Sequence, residues 1–545
     1  FMILWRMSAI VLFSFFIFSS HLKCFYLDLG NLDNINSKII SKNIQGRFGK
    51  KCWQRYNVYM HNKSSNKKVL IKRVITYIGM TLAVIIIVTY VVLFTLGYRF
   101  NIDDRQIEQY AMLQLNSVPS GATVSIDGNS ANIKTPGEAT VPAGEHTITM
   151  TLKGYQTWTK TVKVDSGVLS WVNYALLIPE ELTVESVANY TDIYKSVASP
   201  NGHYILIQAK QNTPQFDLVD VSSNAIKRTA LTIPASVYSE AESTTVAHGF
   251  YIDKWDDGGR YALIKHTYGD KYEWLVLDIQ DIQLTKNITK LFDFSTNNIQ
   301  FAGTSGNVFY ALGNNDIRKI DVSAGTISRP LISGVTSFSI FDSNVICYVA
   351  TDANAKTYVV GLYRDGDDTP YIVKTIDKTD GAQISAAVSN YFNEYYVAIA
   401  NGSGVEVLSG SFPSSTSETG LKNYVSFSAN QTVKNLSFSP SGQYVFARSG
   451  ADFSSYDLEY KSLTSSVVNG DNGDFSVNWL NDNYIWSDRD GVLAIREFDG
   501  ANIHIINKVT TSQSVAITAN GRYIYSVNSL ATGGYQLQRV RIILP

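Results

Sequence analysis

The hydrophobic pattern of the chain changes character three times. From Val74 to Leu96 it reads VITYIGMTLAVIIIVTYVVLFTL, 23 residues without a charge, roughly 35 Å as a helix and enough to cross a bilayer. A buried core helix seldom lacks a polar stripe over so long a run, so the pattern predicts a membrane span over 74–97. Lys63, Lys67, Lys68, Lys72 and Arg73 precede it, whereas Arg99 and Arg105 are offset by Asp103, Asp104 and Glu108. The positive-inside rule then places segment 60–73 in the cytoplasm and everything beyond residue 100 outside.

After a segment read as a linker (98–112), residues 113 to 178 alternate polar and apolar positions in short runs. The dipeptides Ser120-Gly121, Asp127-Gly128, Pro136-Gly137, Ala143-Gly144, Lys153-Gly154 and Ser166-Gly167 punctuate these runs, each supplying a residue suited to a turn. Six turns in so short a stretch predict a small antiparallel β-sandwich. Its core should come from one parity of each strand: Val124 and Ile126, then Ile148, Met150 and Leu152, then Trp158, Val162 and Val164.

From residue 182 to 545 a third pattern recurs: a turn of Pro, Asn, Asp or Ser with Gly, then an aromatic and a short apolar strand. It appears as SPNGHYILIQ (from 199), WDDGGRYALIK (255), TSGNVFYALG (304), FDSNVICYVA (341), NYFNEYYVAIA (390), SPSGQYVFAR (439), WLNDNYIWSD (479) and TANGRYIYSV (518). Eight copies at spacings of roughly 38 to 56 residues predict a β-propeller of eight four-stranded blades, or seven if the copies at 304 and 341 share one blade. FDLVDV, EWLVLDI, IRKIDV, SYDLEY and AIREFDG fit third strands. A ring without closure would leave two exposed edges, so segment 182–197 is expected to pair with the final strand YQLQRVRIIL.

Residues 1–59 stay open. MSAIVLFSFFIFSS (7–20) resembles a signal-peptide core behind Arg6, but cleavage there would put the basic segment outside. A second span would return the C-terminal part to the cytoplasm. The third alternative treats 1–59 as an extension outside the native protein, with Met60 opening the basic segment.

Composition changes little. In 545 residues, 46 basic and 47 acidic side chains nearly cancel, leaving no field to attract nucleic acid. The three cysteines, Cys24, Cys52 and Cys347, cannot form a disulfide framework for the C-terminal part. Thirty-three tyrosines and abundant Thr, Ser and Val favour strands.

Chemistry is sparse. Histidines 21, 61, 146, 203, 248, 266 and 504 include no pair at metal-ligand spacing, and neither a nucleophile elbow nor a phosphate or dinucleotide loop occurs. No catalytic, cofactor or metal residue is therefore expected. The acidic runs at 255–259, 364–368 and 488–491 read as hairpin turns rather than calcium ligands. The best lead is aromatic: Trp255, Tyr261, Tyr272, Trp274, Trp479, Tyr484 and Trp486 are expected either to offer a binding platform or to act as wedges between blades.

The residues VPSGATVSIDG, TP and VPAGEHTITMTLKGYQTWTKTVKV resemble the PEGA domain, a small sandwich of surface proteins. Its Pro-x-Gly-x-His turn falls on Pro142, Gly144 and His146, and its Gly-Tyr on Gly154 and Tyr155. The Pro-Glu-Gly-Ala tetrapeptide itself is replaced by TPGEA. The resemblance implies an envelope-facing binding or spacer module without catalytic activity. The repeats resemble WD-repeat-like propellers such as that of the Tol system's periplasmic component, without the Gly-His and Trp-Asp dipeptides. Taken together, the segments are similar to membrane-anchored surface proteins of small uncultivated bacteria. The expected function is an extracytoplasmic, single-span, non-enzymatic protein that binds a protein or envelope polymer, with a propeller-type hydrolase or lyase as the alternative.

Overall fold

A computed structural model describes residues 67–544 except 102–105, 241–245, 292–293, 297, 353, 355, 380–382, 414–419 and 472. The alternatives for residues 1–59 lie outside the described residues. The chain forms two compact units, 1–90 and 91–545.

Helix α1 (Lys67–Thr95) starts earlier than the apolar run, so Lys72 and Arg73 belong to it. Its segment Ile71–Thr95 is long and apolar enough to cross a membrane, and its large apolar side chains are exposed. Two of its threonines return their hydroxyls to helix carbonyls, Thr76 to Lys72 and Thr95 to Val92, each at 2.8 Å. Such bonds satisfy the hydroxyls without water, as hydrocarbon requires. The turn after the helix is made at Gly97, whose φ of 83° suits only glycine without strain.

The segment expected as a linker is strand. β1 (Tyr98–Asn101) pairs with the start of β2 (Gln106–Val118). Ala111 is buried beside Leu113 and Leu115, so the alternation runs earlier than its large residues suggest. Beyond β2 follow β3 (Thr123–Ile126), β4 (Asn129–Lys134), β5 (Gly137–Pro142), β6 (Gly144–Thr151), β7 (Trp158–Val164) and β8 (Leu169–Leu176). One sheet runs β1-β2-β5 with β8 parallel to β2; the other runs β4-β3-β6-β7. Between them, Val124, Ile148, Met150, Trp158 and Val164 are buried, with Ile126, Leu152 and Val162 partly so. The expected parity holds in that sheet. The opposing half of the core, Ala111, Leu113, Leu115, Val141 and Val172, comes from strands the sequence described poorly.

His146 closes the turn of this sandwich. Its Nε2 donates to Pro142 O (2.7 Å), and its Nδ1 lies 2.6 Å from the Asp127 carboxylate, which also accepts from Thr147 N–H. Those hydrogen bonds hold the Asp127 carboxyl below its ordinary range.

Eight four-stranded antiparallel sheets follow as blades 1 to 8, beginning at residues 195, 248, 298, 335, 384, 435, 477 and 516. Blade 8 takes its outer strand from β9 (Val184–Tyr190), which pairs with the last strand Tyr535–Arg541 in the register Val540↔Val184, Leu537↔Ala188 and Tyr535↔Tyr190. The ring is closed as expected. Each of the eight recurring motifs forms the first turn and second strand of its own blade, the copies at 304 and 341 included.

The recurring turn has a local cause. The side-chain oxygen of Ser199, Asp256, Ser439 or Thr518 accepts the backbone N–H of the aromatic five places on, Tyr204, Tyr261, Tyr444 or Tyr523, at 2.7–3.1 Å. The turn is thereby fixed before any inter-blade contact forms. Tyr444 and Tyr523 then bury their rings.

Candidate functional site

The seven aromatic candidates are mostly wedges. Trp255 and Trp274 are buried in the cores between blades 1 and 2 and between blades 2 and 3, where their indole N–H groups donate to Val197 O (3.2 Å) and Thr296 O (3.0 Å). Tyr261 and Tyr272 are half-buried against the second of these cores, under Arg260 and Lys265 respectively. Tyr484 and Trp486 are buried under the sandwich, and half-buried Trp479 stacks on Tyr444. Burial withdraws Trp255, Trp274, Tyr484 and Trp486 from any partner, so the seven do not form a platform. Short apolar strands must fill the widening gap between blades, and large rings do this best.

What two of these aromatics serve is a joint. Glu497 of blade 7 is fully buried and accepts from four groups: Trp158 Nε1 (2.5 Å), Asn502 Nδ2 (2.8 Å), Tyr484 OH (3.3 Å) and Lys160 Nζ. Lys160 also reaches Asp499 at 2.7 Å and lies over the Phe498 and Tyr174 rings. Around this network Tyr484 OH accepts Leu176 N–H, His504 Nδ1 donates to Gln156 Oε1, and Tyr155 OH accepts Leu544 N–H. Leu176 and Ile178 enter the apolar core of blades 7 and 8. Burial and the Glu497 charge push the Tyr174 and Tyr484 phenols well above their ordinary value. A carboxylate so enclosed needs donors in place of water, and Glu497 has four.

The ring also holds a cavity of about 220 Å³, lined by the first strands of blades 4, 5 and 6 and by Cys347 and Val349 of blade 4's second strand. Blades 4 and 6 can share a wall across blade 5 only on the inner side of the ring. Ser337, Ser339, Ser385, Asn435 and Lys434 supply hydroxyls, an amide and one cation, while Phe338 and Leu436 add apolar surface. Such a wall suits a peptide backbone or a polyhydroxylated polymer.

A second polar cluster lies in blade 2. Glu273 Oε1 lies 2.8 Å from His266 Nδ1, and His266 Nε2 lies 2.8 Å from His248 Nδ1. Glu273 also accepts from Ser239 N (2.6 Å), Ser239 Oγ (2.9 Å) and Asn287 Nδ2 (2.7 Å). Burial would raise its carboxyl, but His266, Ser239 and Asn287 outweigh burial and hold it at about 2. An ionised carboxylate only accepts, so His266 donates from Nδ1. A neutral His266 then accepts at Nε2 from His248, leaving His248 Nε2 as the basic end, with Glu240 3.8 Å away. The arrangement can orient a base, and it ties the inter-blade segment at Ser239 to the blade.

Sequence spacing hid this cluster because 248, 266 and 273 belong to three strands. Hairpin arithmetic would have exposed half of it: His266 and Glu273 are equidistant from the Gly269-Asp270 turn and pair across it. Among the described residues no group of three or more His, Cys, Asp or Glu side chains is placed to hold a metal ion.

Helix, sandwich and closed ring define a chain of three parts: an apolar anchor-length helix, a small β-sandwich docked on blade 7, and an eight-bladed propeller. Residues 111–178, the sandwich, match the PEGA domain family. No curated protein matches the chain. Solved structures similar to the ring include the Dos1 propeller (TM-score 0.42, 11% identity, 66% of this chain and 95% of that one). Others are an oligogalacturonate lyase in complex with manganese (0.36, 10%, 61% and 97%) and Kluyveromyces lactis Hsv2 (0.35, 11%, 66% and 100%). Similarities of this size carry no conclusion about ligand or activity.

Proposed function

We propose that the chain is a membrane-anchored, extracytoplasmic binding protein of the cell envelope, non-enzymatic, whose ring engages a protein or an envelope polymer. The observation that carries this proposal is the Lys160–Glu497–Trp158 joint. A ring fused to the domain that follows the anchor holds its ligand at one attitude, which suits retention at the membrane. The basic residues before the span support a cytoplasmic N-terminal side, and the polar inner wall of blades 4 to 6 supports a peptide or glycan ligand.

The test has two arms. Protease added to intact cells should digest the ring, and its protection would refute the orientation. Full-length protein in detergent should retain an envelope protein or polymer from solubilised envelopes, and Ser385→Trp, which fills the cavity, should abolish that retention. Retention unchanged by Ser385→Trp would remove the cavity from the proposal, and no retention at all would refute binding.

A second reading, a hydrolase or lyase acting on an envelope polymer or peptide, is favoured by the Glu273–His266–His248 chain. Turnover of a labelled envelope polymer that disappears in His248→Ala would decide for it.

A further inference from the structure

Gly97, two residues past the end of α1, is held to the sandwich through backbone hydrogen bonds. Gly97 O accepts Tyr110 N–H at 2.7 Å, Tyr110 O accepts Gly167 N–H at 2.9 Å, and Val168 O accepts Met112 N–H at 3.2 Å. These bonds bring one patch of the first sheet to the place where the apolar run stops. The patch is unusual for a sheet exterior. Leu96, Met112, Val168, Leu169 and Trp171 are each between 40% and 52% exposed. Met112 pairs with Leu169 and Gln114 with Trp171, so the side chains at 112, 169 and 171 stand on one outer face.

The borders of the patch are aromatic and cationic. The Arg99 guanidinium lies 5.3 Å from the Phe94 ring at the helix end and 5.9 Å from the Tyr110 ring. Tryptophan, tyrosine and arginine around exposed aliphatic side chains are what the zone between hydrocarbon and water favours. The headgroup layer on each side of a bilayer is about 5–7 Å deep. A residue hydrogen-bonded to Gly97 cannot lie far from that layer, and Trp171 is only about 7 Å along its strand from Leu169.

We propose that the outer face of β2 and β8 around Met112, Leu169 and Trp171 lies in the headgroup region of the bilayer that Ile71–Thr95 crosses. The sandwich then lies on the membrane instead of standing off it as a stalk, and the joint at Glu497 carries the ring with it. This rests on reading Ile71–Thr95 as a span, and the occupant of the face is lipid, recognised by apolar and aromatic contact rather than by net charge.

The test uses the full-length chain in phosphatidylcholine vesicles, with Cys24→Ser, Cys52→Ser and Cys347→Ala as background. Single nitroxide labels are placed at Leu169→Cys, Met112→Cys, Val84→Cys within the span, and Phe392→Cys, a highly exposed turn of blade 5. Relative accessibility to oxygen and to a water-soluble nickel complex reports depth. The labels at 169 and 112 should show a ratio several-fold above that at 392 and below that at 84. If 169 and 112 match 392 while 84 reads as lipid, the span stands and the proposed face is overturned. If 84 also matches 392, the span fails and the proposal fails with it.

Discussion

Removing the Glu497 carboxylate should open the joint between sandwich and ring while leaving distant blades intact. In Glu497→Ala, Trp158 Nε1 loses its acceptor and Lys160 keeps only Asp499. Breaking a buried ion pair from one side costs about 3–5 kcal/mol. Asp499 retains part of the lysine's partnership, so the low end, about 3 kcal/mol, applies. Glu497→Gln keeps an oxygen for the indole but loses the charge, which costs about 1–2 kcal/mol. At about 1.4 kcal/mol per tenfold change, the populations of the open joint should rise roughly 100-fold and roughly 10-fold. Hydrogen exchange on the full-length protein measures this directly: amides of Trp158–Val164 and Val492–Glu497 should lose protection in that order, and those of Val345–Thr351 in blade 4 should not. Lys160→Met combined with Glu497→Gln should recover part of the loss, because neither charge is then stranded. Unchanged exchange at Trp158–Val164 in Glu497→Ala would refute the joint, and an equal loss in blade 4 would show that the whole ring depends on it.

Deleting Tyr535–Pro545 strips β9 of its ladder partner and leaves blade 8 short of its third strand; the ring should lose its cooperative melt and aggregate on a sizing column. The Glu273 carboxyl sits at about 2 against an ordinary 4.5. Its stabilisation, on the order of 3 kcal/mol, is therefore fully present above pH 4.5 and lost as pH falls towards 2. Glu273→Gln should be less stable at neutral pH and should flatten that acid limb in urea titrations; an unchanged limb would refute the assignment. At Gly97 a Cβ would lie 2.3 Å from Tyr110 O and 2.8 Å from Gly167 N, so Gly97→Val should cost roughly 2 kcal/mol or more and speed hydrogen exchange at Tyr98–Asn101, whereas wild-type exchange there would refute the close packing.

Local signals were legible where a residue and its neighbours a few places away decide the outcome. Four of the eight turns carry a side-chain bond from Ser199, Asp256, Ser439 or Thr518 to an N–H five places on, within one short loop, and such turns are readable locally. Half of the sandwich core was readable because Ile148, Met150 and Leu152 alternate without interruption. The strand before it was missed because Ala111 is too small to mark its parity. The aromatic candidates were found with their role left open between platform and wedge: Tyr484 and Trp486 look the same in sequence whether they face water or a docked domain. His248 was passed over because its partner His266 becomes a neighbour only after two strands pair.

The sequence by itself determined the span-length helix, the strand-rich class, a ring of eight or seven blades and the means of closing it, since each follows from a local pattern; the structure set the number at eight. Only the tertiary structure decided that Glu497 would be fully buried with Lys160, more than three hundred residues away in the chain. It alone paired Met112 with Leu169 on the strand whose Tyr110 bonds Gly97. The physical reason is that burial, the worth of a charge and the exposure of an aromatic are properties of the surroundings, and those surroundings come from residues that no local period connects.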